Sequence, residues 1–289
     1  MITKQKIKTE IQDLNALRTL VRAYEEIASV RMKKTRDSVL WNRFFIENLN
    51  SIFEEVRASY IVEMKKLAKR RKKSSDTVTF LSHNGKTVCV FLSANTGLYG
   101  GIIQATFDNF MKEVREKDVE VTVIGRHGLS LFLEVAGGHP YTYFEMTDQN
   151  TDQRQMSEII KHLVKYEEIH VYYGEFVNAV TQKPSVLSVS AEVSLKEDDQ
   201  GKKVSYIFEP TLEEILRFFE TETFASLFSQ TVSESQLAKF ASRVLAMDKA
   251  EDNIKRSLKS AQFESLKIRH HAANRRQTNS LASILISTQ

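Results

Sequence analysis

The chain has 289 residues, room for one large or two ordinary domains, and its 42% hydrophobic content is enough for a core. Its 41 basic and 37 acidic residues leave a charge of +4, too small an excess to argue a nucleic-acid partner. A single cysteine, Cys89, excludes a disulfide framework, argues against a Cys-based metal site and fits a reducing compartment. No apolar run approaches the roughly 20 residues that span a bilayer.

The N-terminus runs straight into a charged periodic pattern, so no signal or transit peptide is expected. The spacing predicts a long helix over 1–73, in a first segment of 1–76. Leu14, Leu17, Val21, Tyr24 and Ala28 alternate at three and four residues, the seam of a coiled coil. Apolar residues continue through Phe45, Leu49, Ile52, Phe53, Val56, Tyr60 and Met64. A basic cluster, Arg31, Lys33, Lys34 and Arg36, interrupts this helix and suits an acidic partner surface, although a solvated face explains it as well. The basic run at 65–73 reads as a solvated helix end, with a membrane surface or nucleic acid as the alternatives.

Residues 77–208 change character. TVCVFLS at 87–93 reads as a buried strand, followed by a Gly-rich turn at 93–101 and a helical pattern to about Lys117. Strands are expected at 119–125, 141–146 and 169–176, with helices at 128–135 and 152–166. Alternation of this kind predicts a mostly parallel α/β domain. After Pro184, residues 186–193 alternate like a strand. A polar loop at 196–203 and a last strand at 204–208 lead into the final segment.

That segment, 209–289, holds no Gly and no Pro after Pro210. Thr211 with Glu214 forms a capping box, the start signal of a very long helix. Leu237, Phe240, Val244, Met247, Ile254, Leu258, Ala261 and Ile268 form a second seam, interrupted by Glu251 and Ser265. Each long helix buries only one stripe. The simplest architecture is therefore an antiparallel coiled coil of N- and C-terminal helices with an inserted, mostly parallel α/β domain.

No catalytic constellation stands out. The Gly-rich turn lies where phosphate loops sit, but it lacks both GxxxxGK[ST] and GxGxxG, so a tight turn is the simpler reading. His270 and His271 are adjacent on a helix and point to different sides. His127 and His170 show no Cys or Asp partner at ligand spacing, so no metal is expected. No G-x-S-x-G elbow occurs. No cofactor is expected either.

Several segments resemble one family, the gamma subunits of F-type ATP synthases. AMDKAEDN at 246–253, preceded by Arg243, is similar to that family's AM-x-x-A-x-x-N signature. SANTGLYGG at 93–101 resembles its serine-to-double-glycine turn, and VIGRHG at 123–128 its strand followed by Gly-Arg-x-Gly. YGEF at 173–176 with Gln182 and Pro184, and FEPTLEEIL at 208–216, resemble two further elements in the same order. The chain departs from the pattern at Asn95 and Thr96, at Tyr24, Glu25 and Glu26, and at Glu251, where the family usually carries other residue types. The family's C-terminal Arg-Gln pair falls either on Arg276-Gln277, with about two extra helical turns, or on Arg269-His270.

The resemblance implies a rotating central stalk of an F-type ATP synthase or ATPase, itself without catalytic sites. It would couple proton or sodium flow to ATP synthesis or hydrolysis. Three alpha and three beta subunits would surround the coiled coil, with an epsilon-type subunit and the membrane c-ring at the foot. The complex would lie on the cytoplasmic face of a bacterial membrane, with no span contributed by this chain. Arg31, Lys33, Lys34 and Arg36 would face acidic loops of the beta subunits. Arg275, Arg276 and Gln277 would make polar contacts with the upper ring. Leu281, Ile284, Leu285 and Ile286 would form an apolar tip in its bearing. The departures leave open a specialised complex, for instance a hydrolytic motor. A non-rotary coiled-coil adaptor with an α/β head is the alternative, and a small α/β enzyme with helical arms a third.

Overall fold

The computed structural model describes residues 4–70, 77–78, 83–148, 152–190, 193–194 and 211–287. Side chains are described over the same residues except 43, 49–50, 53–70, 77–78, 190, 193–194, 212–213, 215–217, 219–220 and 282–287. The loop and strand expected at 196–208, and the end of the basic run at 71–73, lie outside the described residues.

Two helices bracket the chain: α1 (Lys4–Arg70) and α5 (Leu212–Ser287), of 67 and 76 residues. At 1.5 Å per residue they reach about 100 and 115 Å, far beyond what a compact domain uses. Thr211 opens α5: its Oγ1 accepts from the Glu214 N–H at 3.3 Å and donates to the Glu214 carboxylate at 3.3 Å.

Between them lie β1 (Thr77–Val78), β2 (Thr87–Leu92), α2 (Ile102–Glu116), β3 (Glu120–Ile124), α3 (Arg126–Ala136), β4 (Tyr141–Phe144), α4 (Gln153–Leu163), β5 (Glu168–Phe176), β6 (Gln182–Ser190) and β7 (Val193–Ser194). The main sheet runs β4-β3-β2-β5-β6; all pairs are parallel except β5 with β6. β1 and β7 form a separate antiparallel pair. The sequence starts the strand at 186, after Pro184, but β6 begins at Gln182 and pairs Pro184 with Gly174. An edge strand tolerates this, because proline's missing N–H is not needed on the outer side.

Both faces of the sheet are covered, so its strands read as continuous apolar runs. Cys89, Phe91, Val121 and Val123 face α2 and α3, through Phe107, Phe110, Met111 and Phe132. Val88, Val90 and Leu92 face α4, through Met156, Ile159 and Leu163. α5 adds Phe240 to the first cluster and Phe224, Phe228 and Val232 to the second. Every residue from 231 to 242 is buried, including Glu234, Gln236 and Lys239.

The chain divides into two compact units: Met1–Ser29 with Arg243–Gln289, and Val30–Ser242. In the second unit Met32 packs against the cluster holding Phe240, while Asn42 donates to Ser233 Oγ at 3.2 Å. Rising numbers on α1 thus meet falling numbers on α5, the sense of an antiparallel pair. In the first unit Val21, Met247, Ile254 and Leu258 form a core with Ile11 and Leu14 beside it. Here the α1 seam differs from the expected one. Leu17 and Tyr24 are 48% and 39% exposed, whereas Arg18 and Glu25, one residue on, are half-buried. Ile7, Leu14, Val21 and Ala28 keep a strict seven-residue stripe, and Ile11, Arg18 and Glu25 fill the half-buried positions between.

Candidate functional site

The turn after β2 is the first place where polar groups converge. Asp148, 8% exposed, accepts from the Asn95 N–H at 3.0 Å, the Thr96 N–H at 3.0 Å and the Thr96 hydroxyl at 3.0 Å. Asn95 in turn donates to Met146 O at 2.8 Å and accepts from the Arg126 N–H at 2.9 Å. The amides that a phosphate would need are therefore already occupied by a carboxylate of the same chain. Gly125 (φ 101°) and Gly128 close this arrangement: a Cβ at Gly128 would lie 2.4 Å from Ser93 Cβ. α3 consequently starts at Arg126, earlier than the periodicity predicts.

Behind the turn, Lys239 is 3% exposed, and its Nζ donates to the Ser93 carbonyl at 2.8 Å. Helical spacing gives no hint of this, since Lys239 lies beside the seam residue Phe240.

In the first unit, Glu251 stands in the seam with its side chain 10% exposed. It accepts from Arg18 Nε at 3.2 Å and Arg22 Nε at 2.8 Å, with Lys255 Nζ 3.5 Å away. The Arg22 hydrogen bond, opposed by desolvation and helped by Arg18, holds the Glu251 carboxyl below the usual range. What reads as an interruption of the seam is an ion-paired part of it.

A second polar cluster lies under α2. Glu113 accepts from Lys117 Nζ at 2.8 Å, from His170 Nδ1 at 2.9 Å and from the Tyr172 hydroxyl. Burial pushes the Glu113 carboxyl up, but its bonds to Lys117 and His170 outweigh this and hold it low. Burial pushes the neighbouring Cys89 thiol up to about 12. The expectation that His170 lacks a partner is thus corrected. The parallel register sets Cys89 of β2 opposite it, and the packing of α2 on the sheet brings Glu113 to it, both far away in sequence.

The anticipated partner-contact residues lie in two places. Met32 and Thr35 are half-buried and mark the inward side of α1. Lys33, Lys34 and Arg36 are exposed on the outer arc, with Arg31 half-buried at its edge. Among the described residues no acidic side chain pairs with any of the four. One to three turns further on, Leu40, Trp41 and Phe44 are 53%, 68% and 58% exposed, an apolar strip that sequence reasoning did not single out. On α5, Arg275, Arg276 and Gln277 are exposed, and Leu281 is 58% exposed. The side chains of Ile284, Leu285 and Ile286 lie outside the described residues.

A family model described as ATP synthase matches residues 3–274, through both long helices and the sheet between them. The chain belongs to the ATP synthase family. The ATP synthase gamma chain of Legionella pneumophila (strain Corby) is 24% identical over 99% of this chain and 98% of its own. That of Mesoplasma florum is 26% identical over 88% and 87%. Among solved structures, the rotor of the Euglena gracilis mitochondrial ATP synthase matches with a TM-score of 0.61 at 15% identity, covering 93% of this chain and 98% of that one. The central stalk of the Tetrahymena thermophila mitochondrial ATP synthase matches with a TM-score of 0.59 at 17% identity, over 80% and 99%. Within the ATP synthase family this chain is of the gamma type, and its low identities mark it as divergent.

Proposed function

We propose that this chain carries no catalytic site of its own and transmits torque to catalytic beta subunits. The family match supports this reading, because it runs through both helices as well as the inserted sheet. The paired helices would stand inside a ring of three alpha and three beta subunits, which hold the nucleotide sites. An epsilon-type subunit and the membrane c-ring would complete the rotor. No described helix is long and apolar enough to cross a membrane. The complex would be peripheral, on the cytoplasmic face of a bacterial membrane. The functional division follows 1–76, 77–208 and 209–289, the two arms of the shaft and the domain between them.

The mechanism is mechanical. Helices of different sequence make a shaft whose sides differ, so each catalytic subunit meets a different surface. Rotation changes which conformation each nucleotide site prefers, and nucleotide state biases rotation in return; the coupling is a reciprocal difference in contact free energy. The exposed cations Lys33, Lys34 and Arg36, with Arg31, would face acidic loops of the beta subunits. Arg275, Arg276 and Gln277 would contact the upper ring, and Leu281, Ile284 and Leu285 would seat in its bearing.

Native mass spectrometry of the complex that copurifies with the chain tests this. A rotor comes with two larger nucleotide-binding chains in three copies each for one copy of this chain. Recovery without them would replace the rotor by a coiled-coil adaptor.

A further inference from the structure

Three elements of the α/β unit bring together the chain's one cysteine, a histidine and a carboxylate. Cys89 of β2 stands directly opposite His170 of β5 in the parallel register. Partners in register project to the same face of a sheet. α2 covers that face and lays Glu113 over the pair. Cys89 Sγ, a ring nitrogen of His170 and a carboxylate oxygen of Glu113 all lie within 4.8 Å of one another.

We propose that Cys89, Glu113 and His170 form a three-ligand site for a zinc-type divalent cation, with the fourth position open to solvent. The donor set is the first argument. Thiolate, imidazole and carboxylate together suit zinc, whereas magnesium and calcium take oxygen ligands alone. Geometry is the second. Zinc's bond lengths place tetrahedral ligands about 3.4–3.8 Å apart. Binding therefore opens the 2.9 Å His170 Nδ1–Glu113 pair by about half an ångström and draws in the widest pair, now within 4.8 Å, by on the order of an ångström, shifts within reach of side-chain rotation at Glu113.

Access is the third argument. Cys89 is fully buried, but the side chains of His170 and Glu113 are 17% and 15% exposed. Glu113 lines a groove of about 520 Å³, together with Lys117, Tyr172 and Pro184. A cation and its remaining water can enter there. The Tyr172 hydroxyl, bonded to the second Glu113 oxygen, orients the carboxylate in the way that hydrogen-bonded neighbours orient metal ligands generally.

The protons balance simply. Binding removes the Cys89 thiol proton to solvent, one per ion. His170 binds through Nδ1 with its hydrogen on Nε2, so its present bond to Glu113 is exchanged for one to the metal. Lys117 leaves Glu113; its side chain is 59% exposed and turns into water.

Cobalt titration of the purified full-length chain, followed by absorption, tests the site. Cys89 is the single cysteine, so a near-ultraviolet thiolate-to-cobalt band can arise nowhere else in the chain. The expected result is such a band, saturating at one cobalt per chain and displaced by zinc. Tyr172→Phe, which removes the hydroxyl that orients the Glu113 carboxylate, should weaken cobalt binding by about 10–100-fold. Saturating cobalt without the near-ultraviolet band in the wild-type chain would overturn the proposal, and no variant needs to fold for that outcome. Visible cobalt absorption that survives Cys89→Ser and disappears in His270→Ala/His271→Ala would equally overturn it, by placing the ion on the exposed histidines of α5.

Discussion

Lys239 donates a 2.8 Å hydrogen bond to the carbonyl of Ser93, across 146 positions of sequence and inside the protein. The bond ties α5 to the end of β2, beside the turn that Asp148 organises. Lys239→Met keeps the length of the side chain and removes the donor. The Ser93 carbonyl is then left buried without this partner, a loss of about 1–3 kcal/mol. Urea unfolding followed by circular dichroism should show a lower midpoint with an unchanged slope. An unchanged midpoint would mean that the bond contributes nothing net.

Gly128 sits where α3 meets β2. A Cβ there would fall 2.4 Å from Ser93 Cβ and 2.9 Å from the Phe91 ring. Gly128→Ala should therefore destabilise by roughly 1–3 kcal/mol, the usual cost of overpacking. Gly138→Ala is the control, because nothing lies within 4 Å of its added Cβ. Thermal melts of the two variants should separate clearly.

Glu251 makes the helix pair sensitive to acid. Its carboxyl is held below the ordinary value, chiefly by Arg22. The stabilisation is thus fully present above the unfolded value of about 4.3 and is lost as pH falls through the lower folded value. His162 acts earlier. Burial and then Lys165 hold its ring below the ordinary value, so stability declines as pH drops below about 6.5 toward the folded value. Melting temperatures between pH 7 and 3 should fall in two stages. Glu251→Gln should shrink the lower stage, to which Glu113 also contributes, and leave the upper one. Identical profiles for the two proteins would remove Glu251 from this account.

The outer arc of α1 carries Lys33, Lys34 and Arg36 exposed and unpaired among the described residues, beside half-buried Arg31. Reversing all four charges should lower ATP-driven ion pumping by the reconstituted complex while leaving its assembly intact. The loss should be greatest at low salt, where opposite charges are least screened. Unchanged pumping would end the assignment of this cluster to torque transfer.

Much of this was legible in residues alone. Long stretches without Gly or Pro, apolar residues at three- and four-residue spacing, and the Thr211–Glu214 cap are local signals, and they suffice for two long helices. Alternating strand and helix patterns suffice for a mostly parallel sheet, and the ordered motifs from SANTGLYGG to AMDKAEDN suffice for the family. All of these depend on neighbours within a turn or a strand, so they survive without knowledge of the fold. The polar contacts do not. Asp148 reaches Asn95 across 53 positions, His170 reaches Glu113 across 57, and Arg18 reaches Glu251 across 233. Periodicity marks which side of an element is apolar, but the polar partners follow from sheet register and helix docking. The same limit applies to residues 231–242 of α5, where Ser235, Glu234, Gln236 and Lys239 are buried alongside Leu237 and Phe240. The surrounding elements bury them from all sides, which no pattern within the helix encodes.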